Sequence, residues 1–472
     1  MKRTRRNVLL VLVAILFAIV FVLWIAFRNY APTYNQPLRE AVQPAAVRPT
    51  DEAIARGMWP DRPEQDDRTL VLVAISGGGT RAAAVGWKAL ETLRTVPYRF
   101  RNAEGNLVES NLAQEIDLVA GISGGSFTAA AWCLGPQEMA QLRTSFIERD
   151  VQLALAGNFV SLNGVRALFS PLYSRINWAA ELYDREVFAG KTFAALPSRP
   201  ILRLHATNLA LGQRFTFIPE TFAAIGSDLS SYPLGYACAS SSAFPILLNP
   251  MTLRNYPPAA DLTKDLTYQS NKQNVREDLN KDLLVRTRDY YNNKKNEYLH
   301  LADGGLVDNQ GLQSILDEFE NNGLINRRIN HTAPSLQRLI IININAGVAP
   351  PNTSGETAVP PGIPSVVEST MVASMDVLSA RRWMDIKTRC SEFTKAKIDL
   401  GETSPSYKDL EEPYRIEISF RNIKDSTDRA NAMALPTSFK LTPDQLKLID
   451  RIVPDLLIED PEFQRLKEQL EK

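Results

Sequence analysis

The chain has 472 residues, enough for one large α/β domain with insertions or for two domains. Its 53 basic and 53 acidic residues balance, so the composition gives no electrostatic argument for nucleic acid binding. Three cysteines, Cys133, Cys238 and Cys390, are too few and too scattered for a disulfide framework, and no Cys/His spacing indicates a zinc site.

The N-terminus carries an uninterrupted apolar run over residues 8–27, long enough to cross roughly 30 Å of hydrocarbon as a helix. Only Arg28 follows it closely, whereas the basic residues that precede it are Lys2, Arg3, Arg5 and Arg6. By the positive-inside rule the N-terminus stays in the cytoplasm and the rest of the chain is translocated. The sequence therefore predicts one transmembrane helix within residues 1–30, with the remainder on the periplasmic, extracytoplasmic side.

A cleaved signal peptide is the alternative interpretation of the same run. Its apolar region is usually shorter and ends in an A-x-A-like site, which Phe27-Arg28-Asn29-Tyr30 does not provide. An uncleaved anchor is therefore favoured. Residues 31–67 carry several prolines and mixed charge, and we expect a linker there, either a free tether or an arm that lies on the surface.

The first buried strand is predicted at residues 69–75, and the loop Ser76-Gly77-Gly78-Gly79-Thr80-Arg81 follows it. A strand, a glycine loop and a helix N-terminus form an anion cradle, because backbone N–H groups and the helix dipole point the same way. The two common phosphate-loop patterns do not fit these residues. The loop is therefore interpreted as an oxyanion hole formed by Gly77, Gly78 and Gly79. Arg81 either holds this loop or meets a phosphate head group.

A G-x-S-x-G elbow, Gly121-Ile122-Ser123-Gly124-Gly125, lies between an apolar run at residues 116–120 and an alanine-rich helical segment. The chemistry needs this pattern because the serine stands on a tight strand-to-helix turn, where side chains in place of Gly121 and Gly125 would clash. The turn places the Ser123 hydroxyl near the positive end of the next helix. A glycine-rich turn without chemistry gives the same pattern, so the elbow alone does not decide the function.

A third motif, Asp303-Gly304-Gly305, predicts only a turn when it is taken alone. The glycine loop, the elbow and this motif, in this order, resemble the patatin-like phospholipase family. Further segments that resemble the family are Ala239-Ser240-Ser241-Ser242-Ala243-Phe244-Pro245 ahead of Asn249-Pro250, Leu306-Val307-Asp308-Asn309, and Leu435-Pro436-Thr437-Ser438-Phe439-Lys440-Leu441. The resemblance covers residues 69–345 well and the C-terminal part more loosely.

The resemblance implies a three-layer α/β/α core with a mainly parallel sheet and a Ser–Asp dyad. Ser123 is then the nucleophile that attacks an ester carbonyl, and Asp303 is the base. Gly304 and Gly305 let the backbone turn tightly after the aspartate. Such a mechanism needs no metal and no organic cofactor, and its substrate is a membrane lipid.

The histidines are weakly placed to act as the base. His205 lies within a predicted buried strand at residues 201–208, and His331 lies in a polar loop. His300 is three residues from Asp303, so on an extended segment the two side chains point to opposite sides. An aspartate with a reference pKa near 4 is a poor base in water, so the site must be partly dry or strongly supported by its oxyanion hole.

We expect one hydrolase domain over residues 68–472, with its core at 69–345 and a C-terminal extension at 346–472. A polar insertion at 254–297, rich in Asn, Lys, Asp and Tyr, is a lid, a partner-binding element or a solvated surface excursion. Apolar segments within residues 160–173 either line an acyl pocket or belong to the core.

The C-terminal extension has its own pattern of elements. Residues 365–390 have helical character, and their apolar face packs on the core or meets lipid. Residues 414–420 alternate as an edge strand does, and Thr442 is placed to N-cap a helix whose first residue is Pro443. The charged tail from Glu459 predicts a last surface helix.

The sequence therefore predicts a membrane-anchored acyl hydrolase for phospholipid, lysophospholipid or related acyl esters, and it indicates no particular protein partner. Two other functions stay open. A non-catalytic lipid-binding or scaffolding protein keeps the fold, but it has usually lost one of the motifs that are all present here. An acyltransferase normally pairs its serine with a histidine, and His300 is weakly placed for that role.

Overall fold

The computed structural model describes residues 2–38, 65–102, 104–157, 162–245, 247–256, 276–320, 323–330, 336–348, 354–356, 358–400 and 405–470. The strands are β1 (Thr69–Ile75), β2 (Pro97–Arg101), β3 (Leu107–Asn111), β4 (Ile116–Gly121), β5 (Ile201–Asn208), β6 (Gln213–Thr216), β7 (Met251–Arg254), β8 (Tyr298–Ala302), β9 (Arg338–Asn345) and β10 (Tyr414–Ser419). The helices are α1 (Lys2–Phe27), α2 (Gly79–Leu93), α3 (Gly124–Leu134), α4 (Pro136–Leu142), α5 (Val151–Gly157), α6 (Leu162–Phe169), α7 (Arg175–Glu186), α8 (Pro219–Ala224), α9 (Leu234–Ser241), α10 (Arg276–Asn292), α11 (Gly305–Asp308), α12 (Leu312–Asp317), α13 (Leu324–Asn330), α14 (Ile363–Leu400), α15 (Pro405–Lys408), α16 (Ser426–Met433), α17 (Pro443–Ile458) and α18 (Pro461–Leu470).

The central sheet has the strand order β10-β9-β1-β4-β5-β8-β7, with β6 also paired to β5. The strands from β10 to β5 run parallel to their neighbours, whereas β6 and β8 pair antiparallel with β5, and β7 pairs antiparallel with β8. A separate antiparallel hairpin is formed by β2 and β3. As its alternating sequence predicts, β10 lies at the edge of the sheet.

Two apolar layers enclose the parallel strands. Alternate residues of β1 enter them: Val71, Val73 and Ile75 join one layer with α2 and α3, while Leu70, Leu72 and Ala74 join the other with α12 and α13. Every residue of β1 is buried, as expected for a strand covered by helices on both faces. The predicted three-layer α/β/α arrangement with a mainly parallel sheet is confirmed.

The N-terminal helix α1 contains the apolar stretch Leu10–Phe27, which is long and apolar enough to cross a membrane. A signal sequence near an N-terminus has the same properties. None of this stretch is buried inside the described chain, which is consistent with a helix whose surroundings are hydrocarbon.

The chain after α1 is fastened to the domain over residues 30–38, which we call the anchor strap. Asn35 is only 3% exposed, and its side-chain Nδ2 donates to the Ser227 hydroxyl at 2.8 Å. Its Oδ1 accepts the N–H of Arg254 at 2.8 Å, and its carbonyl accepts the Tyr256 hydroxyl at 2.7 Å. The N–H of Leu38 donates to Gly226. This part of the predicted linker is therefore an arm on the surface, while the remainder, 39–64, lies outside the described residues.

Of the polar insertion predicted at 254–297, residues 257–275 lie outside the described part, and α10 occupies most of the remainder. The helix predicted at 365–390 is longer, since α14 begins at Ile363 and ends at Leu400. Thr442 caps α17 as predicted, because its hydroxyl accepts the N–H of Gln445 while the Gln445 side chain accepts the N–H of Thr442.

We predict that Asn35→Ala lowers the free energy of unfolding of the domain by about 1–3 kcal/mol, because the partners of a buried amide lose their hydrogen bonds. Gln36→Ala is the matched control, since that neighbouring side chain is exposed and should change stability by less than about 0.5 kcal/mol. Denaturant unfolding of the full chain in detergent measures both values. Equal, small effects would mean that the anchor strap is not fastened through Asn35.

Candidate active site

The elbow places Ser123 between the end of β4 and the start of α3, with φ 49° and ψ −126°. Positive φ is rare for a residue with a side chain, and it marks strain that the surroundings must hold in place. The neighbouring glycines leave no room for a side chain. A Cβ on Gly121 would lie 2.5 Å from the Cβ of Ala129, and one on Gly125 would lie 2.5 Å from the carbonyl oxygen of Ser76.

Ser123 and Asp303, which are 180 residues apart in sequence, meet in the structure. The Ser123 hydroxyl donates to Oδ2 of Asp303 at 2.9 Å, and the N–H of Gly305 donates to Oδ1 at 2.7 Å. Asp303 is 2% exposed and Ser123 is 9% exposed. Gly304 lies directly against the carbonyl oxygen of His205, and a Cβ on Gly305 would lie 3.0 Å from the Asp303 carboxylate. The turn after β8 therefore needs both glycines.

Burial raises the pKa of Asp303 to about 7, because the carboxylate is removed from water. The hydrogen bonds from the Gly305 N–H and the Ser123 hydroxyl lower this pKa and offset only part of the effect. An aspartate with a pKa near neutrality is a much better general base than a free aspartate, and it remains deprotonated in slightly alkaline solution.

The glycine loop lies against the elbow. A Cβ on Gly77 would lie 3.2 Å from the Cβ of Ser123, and the carbonyl of Gly79 touches Gly124. Gly78 has φ 138° and Gly79 has φ 60°, conformations that favour glycine. In the part of the chain that the structure describes, no hydrogen bond uses the N–H of either residue.

Gly77 differs from its two neighbours in the loop. Its N–H donates to the carbonyl of Asn309 at 2.8 Å, so this group is not free to bind an oxyanion. Of the three glycines predicted to form the oxyanion hole, Gly77, Gly78 and Gly79, only Gly78 and Gly79 have an N–H group that is free to donate to an oxyanion. The N–H of Gly77 instead holds the loop against Asn309. The Asn309 carboxamide oxygen also occupies the place where a Gly77 side chain would lie.

Arg81 lies beneath this loop and is 3% exposed. Its Nε donates to the carbonyl of Ala346 at 2.9 Å and its Nη1 to the carbonyl of Leu435 at 2.8 Å. Burial lowers the pKa of Arg81 to about 10, so the guanidinium stays charged at neutral pH. Among the described residues it has no carboxylate partner. Arg81 therefore holds the loop, and it places a buried positive charge beside Gly78.

The C-terminal extension contributes to the same loop. The N–H of Thr80 donates to the carbonyl of Ser438 at 2.9 Å, and that oxygen occupies the place where a side chain on Gly79 would lie. The N–H of Ser76 donates to Ile344, and its hydroxyl accepts the N–H of Ala346 at 2.9 Å. Support for the loop thus comes from β9 and from the segment after α16.

Comparison with family models identifies one match, the patatin-like phospholipase model over residues 73–316, which is more than half of the chain. The chain belongs to the patatin-like phospholipase family. No curated protein matches it. The family match ends before β9, so the residues that support the glycine loop from the C-terminal side lie outside it.

Solved structures that match this chain include human GIVD cytosolic phospholipase A2, at 13% identity with a TM-score of 0.34 over 67% of this chain and 49% of that one. A second is VipD from Legionella pneumophila, at 12% identity with a TM-score of 0.33 over 85% of this chain and 67% of that one. The human enzyme in complex with methyl gamma-linolenyl fluorophosphonate gives 12% identity and a TM-score of 0.40 over 90% of this chain and 61% of that one. The chain thus spans about half of the first of these proteins.

The two described histidine side chains of this patatin-like chain have hydrogen-bond partners other than Ser123 and Asp303. His205 is fully buried, its Nε2 lies 3.3 Å from Asp308, and burial lowers its pKa. His300 is exposed on β8, and its Nδ1 lies 3.1 Å from the Thr252 hydroxyl. His331 lies outside the described residues. Within the described ranges, no three His, Cys, Asp or Glu side chains are grouped to hold a metal ion.

The sequence did not predict a role for Ser241, which lies at the site. The hydroxyl of Ser241, at the end of α9, accepts the N–H of Ser123 at 2.9 Å and donates to the carbonyl of His205 at 2.7 Å. Its carbonyl accepts the N–H of Gly304, and the carbonyl of Ala243 accepts the N–H of Asp303 at 2.9 Å. The serine run that resembles the family was a signal for this region, but it does not show which of its three serines makes the contact.

We predict that Ser241→Ala lowers kcat by about 10–100-fold with little change in KM, because the strained elbow loses the acceptor for its Ser123 N–H. Ser242→Ala is the matched control: its hydroxyl is buried but has no hydrogen-bond partner among the described residues. Initial rates on a soluble ester, with thermal unfolding of each variant, measure the effect. A similar loss in both variants would show that Ser241 has no special role.

Proposed function

We propose that this chain is a serine acyl hydrolase that cleaves fatty-acyl esters of membrane lipids through a Ser123–Asp303 dyad. The observation that carries the proposal is the 2.9 Å hydrogen bond from the elbow serine to a buried aspartate, beside a loop with two unused N–H groups. Membership of the patatin-like phospholipase family supports lipid ester hydrolysis as the activity. Ser123 has an aspartate rather than a histidine as its partner, which disfavours the acyltransferase alternative.

In the first half of the reaction the Ser123 oxygen attacks the ester carbonyl carbon, and its proton passes to Oδ2 of Asp303. The carbonyl π electrons move to the oxygen, which becomes an oxyanion bound by the N–H groups of Gly78 and Gly79. When the oxyanion collapses, the bond to the alcohol breaks and Asp303 gives its proton to the leaving alkoxide. The products of this half are an acyl-serine and a free alcohol such as a lysolipid.

In the second half a water molecule attacks the acyl-serine and gives a proton to Asp303. A second oxyanion forms in the same loop and collapses, which releases the fatty acid. Asp303 returns the proton to Ser123, so the dyad ends in its starting state. The buried charge of Arg81 favours both oxyanions, because a cation in a dry environment lowers the energy of a nearby developing negative charge.

We also propose that α1 anchors the chain in a membrane, with the N-terminus in the cytoplasm and the domain on the other side. The apolar stretch Leu10–Phe27 is long enough to span, and basic residues precede it. An anchored hydrolase stays next to its insoluble substrate. A protease-accessibility assay tests the orientation in sealed vesicles whose cytoplasmic face points outward. Added protease would cut a domain on the cytoplasmic side at once, whereas it would reach a domain on the other side only after the vesicles are opened.

We predict that Ser123→Ala and Asp303→Asn each lower kcat/KM on p-nitrophenyl esters and on mixed phospholipids by at least about 10³-fold. Asp444→Asn is the control, because that carboxylate on α17 is exposed and should leave the rate unchanged. Unfolding curves check that all three variants are folded. Turnover that survives Ser123→Ala would overturn the mechanism, and a folded wild type without turnover on any ester would favour a non-catalytic lipid-binding protein.

We predict that kcat/KM on a soluble ester rises with pH to a plateau, with a midpoint near 7, because Asp303 must be deprotonated to act as base. The same pKa affects stability. Below about pH 4, the ordinary pKa of an aspartate, Asp303 is protonated in both the folded and the unfolded protein and does not change the free energy of unfolding. Between about pH 4 and 7 only the unfolded protein loses this proton, so the folded wild type becomes less stable as the pH rises. Above 7 the cost is complete and constant.

Asp303→Asn removes this dependence. The stability of the variant minus that of the wild type should therefore increase as the pH rises from about 4 to 7 and stay level above 7, as measured by denaturant unfolding at several pH values. A flat difference across this range would mean that the pKa of Asp303 is not raised in the folded protein.

A further inference from the structure

The end of the membrane helix and the surface of the domain are joined by almost no chain. α1 ends at Phe27, and only two residues separate it from Tyr30. The carbonyl of Tyr30 accepts the Ser170 hydroxyl at 2.6 Å, and its ring lies 5.3 Å from the ring of Tyr173. The three Cα–Cα steps from Phe27 to Tyr30 span at most about 11 Å, so the surface around Ser170 lies close to the C-terminal end of α1.

The residues at this junction are of the types found at membrane interfaces. The Arg28 guanidinium lies 5.0 Å from the centre of the Trp24 ring, and Tyr30 follows two residues later. Aromatic rings and basic side chains concentrate where hydrocarbon gives way to lipid head groups. The junction therefore lies at the level of the head groups when α1 spans the bilayer.

Two exposed leucines flank Ser170, the residue where the anchor strap joins the domain. Leu168 on α6 is 77% exposed, and Leu172, two residues after Ser170, is also exposed. Single exposed leucines are ordinary, but here two of them flank Ser170, the residue that binds the carbonyl of Tyr30.

We infer that Leu168 and Leu172 form a membrane-contact face, which rests on the phospholipid bilayer that holds α1. The inference rests on the proposed membrane anchor. A bilayer is the expected partner of this face, because the bilayer that would surround α1 ends only two residues before Tyr30, where the anchor strap begins. Apolar side chains at head-group level gain by entering the boundary with the acyl chains.

The start of α5 is connected to the glycine loop by a short path of contacts. Asp150, which directly precedes α5, accepts the Lys440 ammonium at 2.6 Å. Two residues before Lys440, the carbonyl of Ser438 binds the N–H of Thr80 and fills the space beside Gly79. We expect a chain that rests on its own bilayer to take its lipid substrate from that bilayer in preference to dispersed esters.

A labelling experiment tests the contact directly. The native cysteines are all buried, so the single variant Leu168→Cys in the full chain takes an environment-sensitive fluorophore at one position. Ile398→Cys is the matched control: Ile398 is 78% exposed, and it lies on α14, which packs on the opposite face of the sheet. Both proteins are reconstituted in phosphatidylcholine–phosphatidylglycerol vesicles with and without nitroxide-labelled lipid.

The expected result is blue-shifted emission and strong nitroxide quenching at position 168, with several-fold weaker quenching at 398. Equal quenching at the two positions, or none at 168, would overturn the inference. In a second arm, the double variant Leu168→Asn and Leu172→Asn should hydrolyse vesicle phospholipid about tenfold more slowly while its rate on a soluble ester is unchanged.

The two arms separate this inference from the proposed function. If the wild type does not hydrolyse a soluble ester, the result counts against the Ser–Asp mechanism but does not affect the labelling result. Normal ester turnover without lipid contact at position 168 would count against the membrane-contact face alone. An equal loss on both substrates in the double variant would also contradict it, since that is the result of a packing defect.

Discussion

The contact between Ser123 and Asp303 depends on residues 241–243, which hold both partners through separate hydrogen bonds. The Ser241 hydroxyl accepts the Ser123 N–H, and two carbonyls of the same segment accept the N–H groups of Asp303 and Gly304. The elbow and the turn after β8 come from distant parts of the sequence, and β4 and β8 are not neighbours in the sheet. One segment that bonds to both sets the distance between the proposed nucleophile and the proposed base, which proximity catalysis requires.

The candidate site lowers the stability of the folded state. Ser123 has a positive φ, Asp303 is a buried carboxyl group whose pKa is raised to about 7, and Arg81 is a buried cation without a carboxylate partner among the described residues. Each of these features lowers stability, and each serves the chemistry that we propose. The two apolar layers around β1 offset that cost, because they remove a large apolar area from water.

The fold class and the main motifs could be predicted because they are local. The apolar run of β1, the small residues of the elbow and the cap at Thr442 each have a physical reason within a few residues of sequence. The rest depends on contacts between distant residues. Nothing near Gly77 indicates that its N–H is taken by Asn309, and nothing near Asn35 indicates that it is buried against Arg254. Ser241 stands between two identical residues, so the sequence alone could not single it out.

The support of the glycine loop by Ser438 has a consequence for the order in which the candidate site is completed. Residues close to the end of the chain fix Thr80 and Arg81 through the carbonyls of Ser438 and Leu435. During synthesis the serine and the aspartate therefore emerge long before the loop beside them is held in place. A growing chain that already carries Ser123 and Asp303 therefore still lacks two of the contacts, at Thr80 and Arg81, that fix the glycine loop.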